Sequence, residues 1–141
     1  MTTQYMKLVP AIEPDSKEFW EGCKRHELLI LKCQKCGALR TFPWVGCPNC
    51  GSLDSEWVKA SGKGKIYSYG IVYRTFHPAY EPPYNIVMVE LEEQKESPLP
   101  VRMNGNVVDV KPEELHIGMP VEVIFEDLTP EIDLPNWKPV S

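Results

Sequence analysis

Two cysteine pairs constrain this chain more than any other feature. Cys33-Gln34-Lys35-Cys36-Gly37 and Cys47-Pro48-Asn49-Cys50-Gly51 are two C-x-x-C-G knuckles with ten residues between the inner cysteines. Each knuckle puts two thiols at one tight turn, and the following glycine allows the left-handed backbone such a turn needs. Four thiolates in a tetrahedral array suit Zn²⁺, and a linker this short lets two hairpins meet at one ion. Iron in a rubredoxin-like site takes the same ligands, so spacing leaves the two metals open, with zinc favoured. Two disulfides would require an oxidising compartment, to which nothing in the sequence points. Cys33, Cys36, Cys47 and Cys50 are therefore the candidate ligands of a structural metal. A four-thiolate site keeps no open coordination position, which argues against catalysis at the metal itself.

The opening Met1-Thr2-Thr3-Gln4-Tyr5 lacks the basic and then apolar pattern of a secretory signal. No apolar run approaches the ~20 residues needed to span a bilayer. The expectation is a cytoplasmic protein without a membrane span, where thiols stay reduced for metal. Charge narrows the partner. Residues 1–54 carry net +1, residues 55–130 net −5 and residues 131–141 net −1. An acidic body repels phosphate backbones, so nucleic acid is a disfavoured partner.

Asp15-Ser16-Lys17-Glu18 reads as a capping box, with Asp15 accepting from early helix amides and Glu18 reaching back. A short helix follows to about Glu27, with Phe19, Trp20 and Cys23 on one face. Leu28 to Leu31 is a strand-like run into the first knuckle, and Arg40 to Trp44 supplies a second strand and turn. Lys32, Lys35 and Arg40 read as a solvated basic rim. From Glu56 the pattern turns to strands: 56–58, 65–76 with Gly70 as the expected bend, 86–92, a 99–103/106–110 hairpin turning at Asn104-Gly105, and 121–126. Pro112 to Leu115 makes a helical turn before the last strand. The fold expected is mainly β, with an N-terminal helix, a rubredoxin-like zinc ribbon and a small five-stranded OB-type barrel. Its divisions are an arm and helix over 1–29, the ribbon over 30–54, the OB domain over 55–128 and an extended, proline-rich arm over 129–141. The arm carries Trp137, which needs something to pack on, either this chain or another subunit.

The order of Phe19-Trp20-Glu21-Gly22, Leu28 to Cys33, the two knuckles, Gly62-x-Gly64-x-Ile66-Tyr67-Ser68, Pro83-Tyr84 to Glu90 and Ile117-Gly118-Met119-Pro120-Val121 carries a family resemblance. From about Asp15 to Asp127 the chain resembles the zinc-ribbon/OB-fold acyl-CoA-associated family known as domain of unknown function 35. The resemblance implies a non-catalytic accessory subunit that forms a hetero-oligomer with a thiolase-fold enzyme. It also implies structural zinc on the four knuckle cysteines and an OB domain that helps hold an acyl-CoA substrate. No catalytic residue can be carried over. Thiolytic or related C–C bond chemistry is the implied setting, and a thiolase acting on an aromatic or benzoylsuccinyl-CoA is one branch of it.

No catalytic set is legible in the residues themselves. Cys23 reads as a buried, inert thiol, and His26 and His116 share no short spacing with another reactive group. CoA phosphates call for Lys, Arg or backbone amides, and adenine for an aromatic or guanidinium plane. The candidates for that contact are Lys63, Lys65, Arg74, Arg102 and His77, beside tyrosines 67, 69 and 73, which otherwise fill the barrel and its rim. Phe19, Trp20 and Trp137 are the candidates for a partner-facing surface. The alternative reading is a single-stranded nucleic-acid-binding zinc-ribbon/OB module, which the charge disfavours.

Overall fold

A computed structural model describes residues 8–140. The N-terminal stretch read for a secretory signal, and with it the first seven residues of the 1–29 arm, lies outside the described residues. Helix α1 spans Lys17–Lys24. The expected capping box does not form: Ser16 is the N-cap and makes no capping bond from its side chain. Its hydroxyl is taken up by the preceding turn, exchanging hydrogen bonds with the Glu13 amide and carbonyl at 3.2 and 3.3 Å. The helix also stops three residues early. His26 adopts φ +61°, and the Glu27 amide reaches back to the Gly22 carbonyl at 2.8 Å. That left-handed reversal ends helices, and histidine tolerates it at modest cost.

A three-stranded antiparallel sheet follows, ordered β2-β1-β3, with β1 Leu29–Cys33, β2 Leu39–Arg40 and β3 Ser55–Lys59. The β3 strand pairs with β1 along its whole length, so the ribbon sheet extends to residue 59. The second sheet is a curled, five-stranded half-barrel ordered β6-β5-β4-β7-β8. Its strands are β4 Lys63–Val72, β5 Tyr84–Leu91, β6 Arg102–Gly105, β7 Pro120–Asp127 and β8 Asp133–Pro139. A 3-10 turn at Pro112–Glu114 precedes β7. The two sheets share one core. Leu28 and Ile30 beside β1 and in it pack with Ile66, Val87, Val89, Leu91, Val121 and Trp137 of the half-barrel.

Two sequence expectations about this sheet are corrected. The Asn104-Gly105 pair is no hairpin turn: both residues lie inside β6, opposite Met88 and Val87. The glycine is there for space. A Cβ at Gly105 would sit 2.9 Å from the Trp137 indole. The bend in β4 lies at Tyr67 and not at Gly70, because Ile66 faces Val89 while Ser68 faces Met88, leaving Tyr67 as the extra residue of a bulge. Beyond the bulge the strand leaves β7, with which it pairs only over Lys63–Lys65. Tyr67, Tyr69 and Tyr73 are therefore exposed, and do not fill the barrel.

The largest correction is the C-terminal segment. It is the fifth strand, paired with β7 from Val121↔Pro139 to Asp127↔Asp133. Trp137 is fully buried in the core, so it presents no surface to a partner. The prolines that suggested an arm are compatible with the sheet by direction. The amide and carbonyl of Trp137 face away from β7 and bond residues 106 and 108, at 2.9 and 2.8 Å. Pro135 and Pro139 share that side, so their missing N–H groups cost no bond to β7. The 106–108 segment in turn is held by the Asn85 side chain, which bonds both the amide and the carbonyl of Val107 at 2.7 and 2.8 Å.

A second fastening ties the end of α1 to β8. Lys24 Nζ lies 2.7 Å from Asp133 Oδ1, and His26 Nε2 lies 3.2 Å from Oδ2. The His26 ring also stacks on Phe125 at 5.3 Å. The Lys24 ammonium holds the buried Asp133 carboxyl below its ordinary range. A depressed carboxylate contributes stability above its unfolded value, near 4, and loses it as pH falls through the folded value. Asp133→Asn is expected to lower the melting temperature at pH 7 and to flatten its fall below about pH 4, read by thermal denaturation across pH 3–7. Trp137→Ala is expected to cost about 3–5 kcal/mol in urea unfolding; a change confined to a surface arm would leave the midpoint unmoved.

Candidate metal centre and adjoining groove

The two knuckles are built alike. Gly37 and Gly51 take φ +78° and +79°. Their amides close the turns onto the carbonyls of Cys33 and Cys47 at 2.9 and 2.8 Å. Cys33 ends β1, Cys36 lies in the turn, and Cys47 and Cys50 return on the second knuckle. The Sγ atoms of Cys33 and Cys50 are 3.6 Å apart, as are those of Cys36 and Cys47. All four sulfurs lie within 4.8 Å of one another. Tetrahedral Zn–S bonds of about 2.3 Å put sulfurs about 3.8 Å apart, so the donor set fits the ion. Four sulfur donors fill a tetrahedral coordination sphere, which suits a closed structural site.

The local field already favours thiolates at one end of the cluster. The Cys36 amide, donating to the Cys33 sulfur at 3.5 Å, leads the causes that bring the Cys33 thiol down to about 6. The Asn49 side chain, donating to sulfur at 3.5 Å, lowers Cys36. Cys50 moves the other way. Its Ser52 amide favours the thiolate, yet burial and the three neighbouring sulfurs push it up to about 11. Four such groups ionise together only around a cation, which couples metal uptake to proton release and to folding. The ribbon has little else to hold it: Cys33, Ala38 and Cys47 are the buried members of its own small cluster.

The ribbon is tied to the half-barrel by short polar bonds. Leu39 donates to Ser97 Oγ at 3.0 Å, and the Thr41 hydroxyl donates to the Arg102 carbonyl at 2.7 Å. Between α1, the loop after β2 and the outer face of β5, β6 and β8 runs a groove of about 760 Å³. Phe19, Trp20, Phe42, Trp44, Arg40 and Arg102 are among its walls. Trp20 and Phe19 meet edge to face at 5.0 Å, and Phe42 stacks with Trp44 at 5.5 Å. Arg40 is no solvated rim residue. It is 4 % exposed and holds the Trp44 carbonyl with Nε and Nη2 at 3.2 and 2.8 Å.

The five residues chosen for CoA contact do not form one site. Lys63 and Lys65 line a second depression of about 460 Å³ with Lys95, Glu90 and Glu92. Arg102 lies in the groove, its guanidinium 3.7 Å above the Tyr67 ring. Arg74 and His77 sit in the loop between β4 and β5, where His77 Nδ1 accepts the Ala79 amide at 3.1 Å. Phe19 and Trp20 stand together, and Trp137 lies apart from them in the core. Sequence reading missed Arg40, Phe42 and Trp44 as a site. The Arg40-to-Trp44 stretch carries an arginine between aromatics, but the burial of Arg40 comes from tertiary packing. Cys23 is fully buried, and burial first, then the Asp133 charge, pushes its thiol up to about 12. That is the inert thiol expected.

Cys36→Ser is expected to abolish binding of one Zn²⁺ per chain and to unfold the ribbon, since structural zinc supplies roughly 10 kcal/mol or more. Metal analysis and the charge-transfer spectrum of the cobalt-substituted protein report it.

Comparison with known proteins agrees with this architecture. Residues 20–56 match the family model described as the ChsH2 rubredoxin-like zinc ribbon domain, and residues 57–126 the ChsH2 C-terminal OB-fold domain. The chain is 38% identical over 130 residues to a probable enoyl-CoA hydratase alpha subunit of Thermomonospora curvata, covering 92% of this chain and 39% of that protein. It thus spans about two fifths of that relative's length. A DUF35 domain-containing scaffold protein of Methanocaldococcus jannaschii is 35% identical, with 81% of this chain and 79% of that one covered. Among solved structures, a chain of the Ltp2-ChsH2(DUF35) aldolase superposes with a TM-score of 0.81 at 38% identity, covering 93% of this chain and 98% of that chain. With its four-cysteine ribbon and the OB-fold region that follows it matched in order over residues 20–126, this chain belongs to the ChsH2/DUF35 family of zinc-ribbon and OB-fold proteins.

Proposed function

We propose that this chain is a non-catalytic, zinc-holding subunit of an acyl-CoA enzyme complex, partnered by a thiolase-fold protein. The observation that carries the reading is the likeness to the Ltp2-ChsH2(DUF35) aldolase chain, which runs nearly end to end in both proteins. The hydratase alpha subunit named above points to the same class of thioester substrate. The chain's own chemistry is consistent with an accessory role. Its metal site is closed, Cys23 is inert, and His26 is committed to Asp133. The metal supplies rigidity to the ribbon, and the ribbon supplies surface.

In this reading Phe19 and Trp20 face the partner, with Phe42 and Trp44 beside them. Arginine and tryptophan side chains dominate the energetics of such contacts. Phe42 and Trp44 are more than half exposed, at 59% and 55%, as anchors awaiting a second surface are. Lys63 and Lys65, with Lys95 across the depression, form the polyanion contact for the CoA nucleotide. C–C cleavage by thiolysis, with an aromatic acyl-CoA as substrate, is the chemistry assigned to the partner. No described helix is long and apolar enough to cross a membrane, and the proposed setting is cytoplasmic.

Co-expression with a thiolase-fold protein of the same organism tests the reading. The complex is expected to co-purify and to cleave acyl-CoA, while the isolated chain shows no thiolytic activity. Activity in the isolated chain, or a partner equally active without it, would overturn the assignment. Within the complex, Lys63→Glu with Lys65→Glu is expected to raise the KM for CoA at least about tenfold, with a loss of its salt dependence and an unchanged zinc content.

A further inference from the structure

One side of β4 is left open along half its length. The strand pairs with β7 only over Lys63–Lys65. Ile66 is still covered, its amide and carbonyl bonding residues 119 and 118 at 3.0 and 2.8 Å. The covering chain turns away at Ile117, where the Met119 amide reaches back to the His116 carbonyl. From Ser68 to Val72 no described backbone group pairs with that side of β4. The register says which groups are free. The Leu91 amide bonds the Val101 carbonyl, away from β4. Alternation along β5 then turns Met88, Ile86 and Tyr84 toward β4, so their partners Ser68, Gly70 and Val72 are bonded into the sheet. The amides and carbonyls of Tyr69 and Ile71 point outward.

Proteins blunt such edges with lysine, proline or a covering segment. The stretch Tyr67-Ser68-Tyr69-Gly70-Ile71-Val72-Tyr73 contains no charge and no proline. Tyr69 and Tyr73 are exposed, and a Cβ at Gly70 would meet no atom within 4 Å. Charge appears only at the two ends. Arg74 follows the strand, exposed and in no ion pair among the described residues. At the other end, beyond Ile66, the turn leading to Gly118 carries the exposed acids Glu113 and Glu114. An edge with a cation at one end and carboxylates at the other is complementary in charge to its own antiparallel copy.

We propose that β4 pairs antiparallel with β4 of a second copy of this chain, about a two-fold axis at Gly70. In that register Tyr69 faces the other copy's Ile71 and exchanges both backbone bonds with it, and symmetry repeats the pair. An aromatic opposite a β-branched side chain is a favourable cross-strand pair. Each copy's Arg74 arrives at the Ile66 end of the other, where Glu113 and Glu114 stand. An axis at Tyr69 would set Val72 against Ile66, whose bonds are already made, and an axis at Ile71 would run past the end of the strand. The contact uses this chain alone and does not depend on the acyl-CoA reading.

The zinc-loaded, full-length chain is followed by sedimentation velocity and by amide hydrogen exchange across protein concentration. A dimer is expected with a dissociation constant of about 10–100 μM, and the Tyr69 and Ile71 amides are expected to gain protection as it forms. Ile71→Pro removes one outward N–H and no bond to β5, and is expected to raise the dissociation constant at least about tenfold. Arg74→Glu is expected to weaken the dimer, and Glu113→Arg with Glu114→Arg to restore it. The melting temperature is read in each variant. Gly70→Cys gives a separate reading of the register: facing residues of a non-bonded pair stand about 4.5 Å apart, within reach of a disulfide. Mild oxidation is expected to link two copies of that variant, whereas Ser68→Cys, which faces Val72, is expected to stay unlinked. A chain still monomeric at about 1 mM, a dimer unmoved by both Ile71→Pro and Arg74→Glu, or linkage of Ser68→Cys as ready as that of Gly70→Cys would overturn the proposal. So would protection of Tyr69 and Ile71 that is independent of concentration, which would mean that the chain covers this edge itself.

Discussion

Everything beyond the ribbon rests on where the Trp137 ring goes. The indole enters from the last strand, passes over a glycine that leaves it room, and packs with residues of both sheets. Its backbone meanwhile bonds the 106–108 segment, stitching the far edge of the curled sheet to the stretch that follows β6. Hydrophobic burial and edge satisfaction are thus met by one residue. Without the strand that carries it, β7 would be an unprotected edge and the half-barrel would open on its core.

The ribbon has the opposite problem. Its sheet is three strands with few buried residues of its own, too small to fold on apolar burial alone. It solves this twice. The four-sulfur site closes its outer end, and Leu28, Ile30 and Leu39 lend its inner end to the common core. The groove is a by-product of that joint. The loop between the two knuckles stands against the outer face of a strongly curved sheet, and aromatic side chains line the gap between them.

Much of this was legible in the residues, for physical reasons that differ by element. The knuckles were plain because ligand spacing is a local property, set by turn geometry and the ion. The alternation of β5 and β7 was plain for the same reason, since period-two burial is written along each strand. What failed was long-range. Asn104-Gly105 has turn chemistry, but its glycine answers to an indole thirty-two residues away. Pro130, Pro135 and Pro139 read as strand breakers, because nothing local tells which way a missing N–H will point. Asp15 resembled a cap, yet Ser16 occupies that position and spends its hydroxyl on Glu13. Arg40 looked like one more surface cation, and only the meeting of ribbon and sheet buries it.

The two prolines of β8 have a consequence for how this protein meets others. A sheet edge with free amides and carbonyls invites a foreign strand to extend it, whether from a partner or from another copy of the same chain. Here the outward-facing donors of the last strand are replaced at Pro135 and Pro139, and that of Trp137 is already spent. Strand addition along this edge is blocked, so association there must read side chains rather than backbone. A surface that recognises its partner by shape and charge keeps its specificity where sheets abound, and is spared the indiscriminate pairing that turns exposed edges into aggregates.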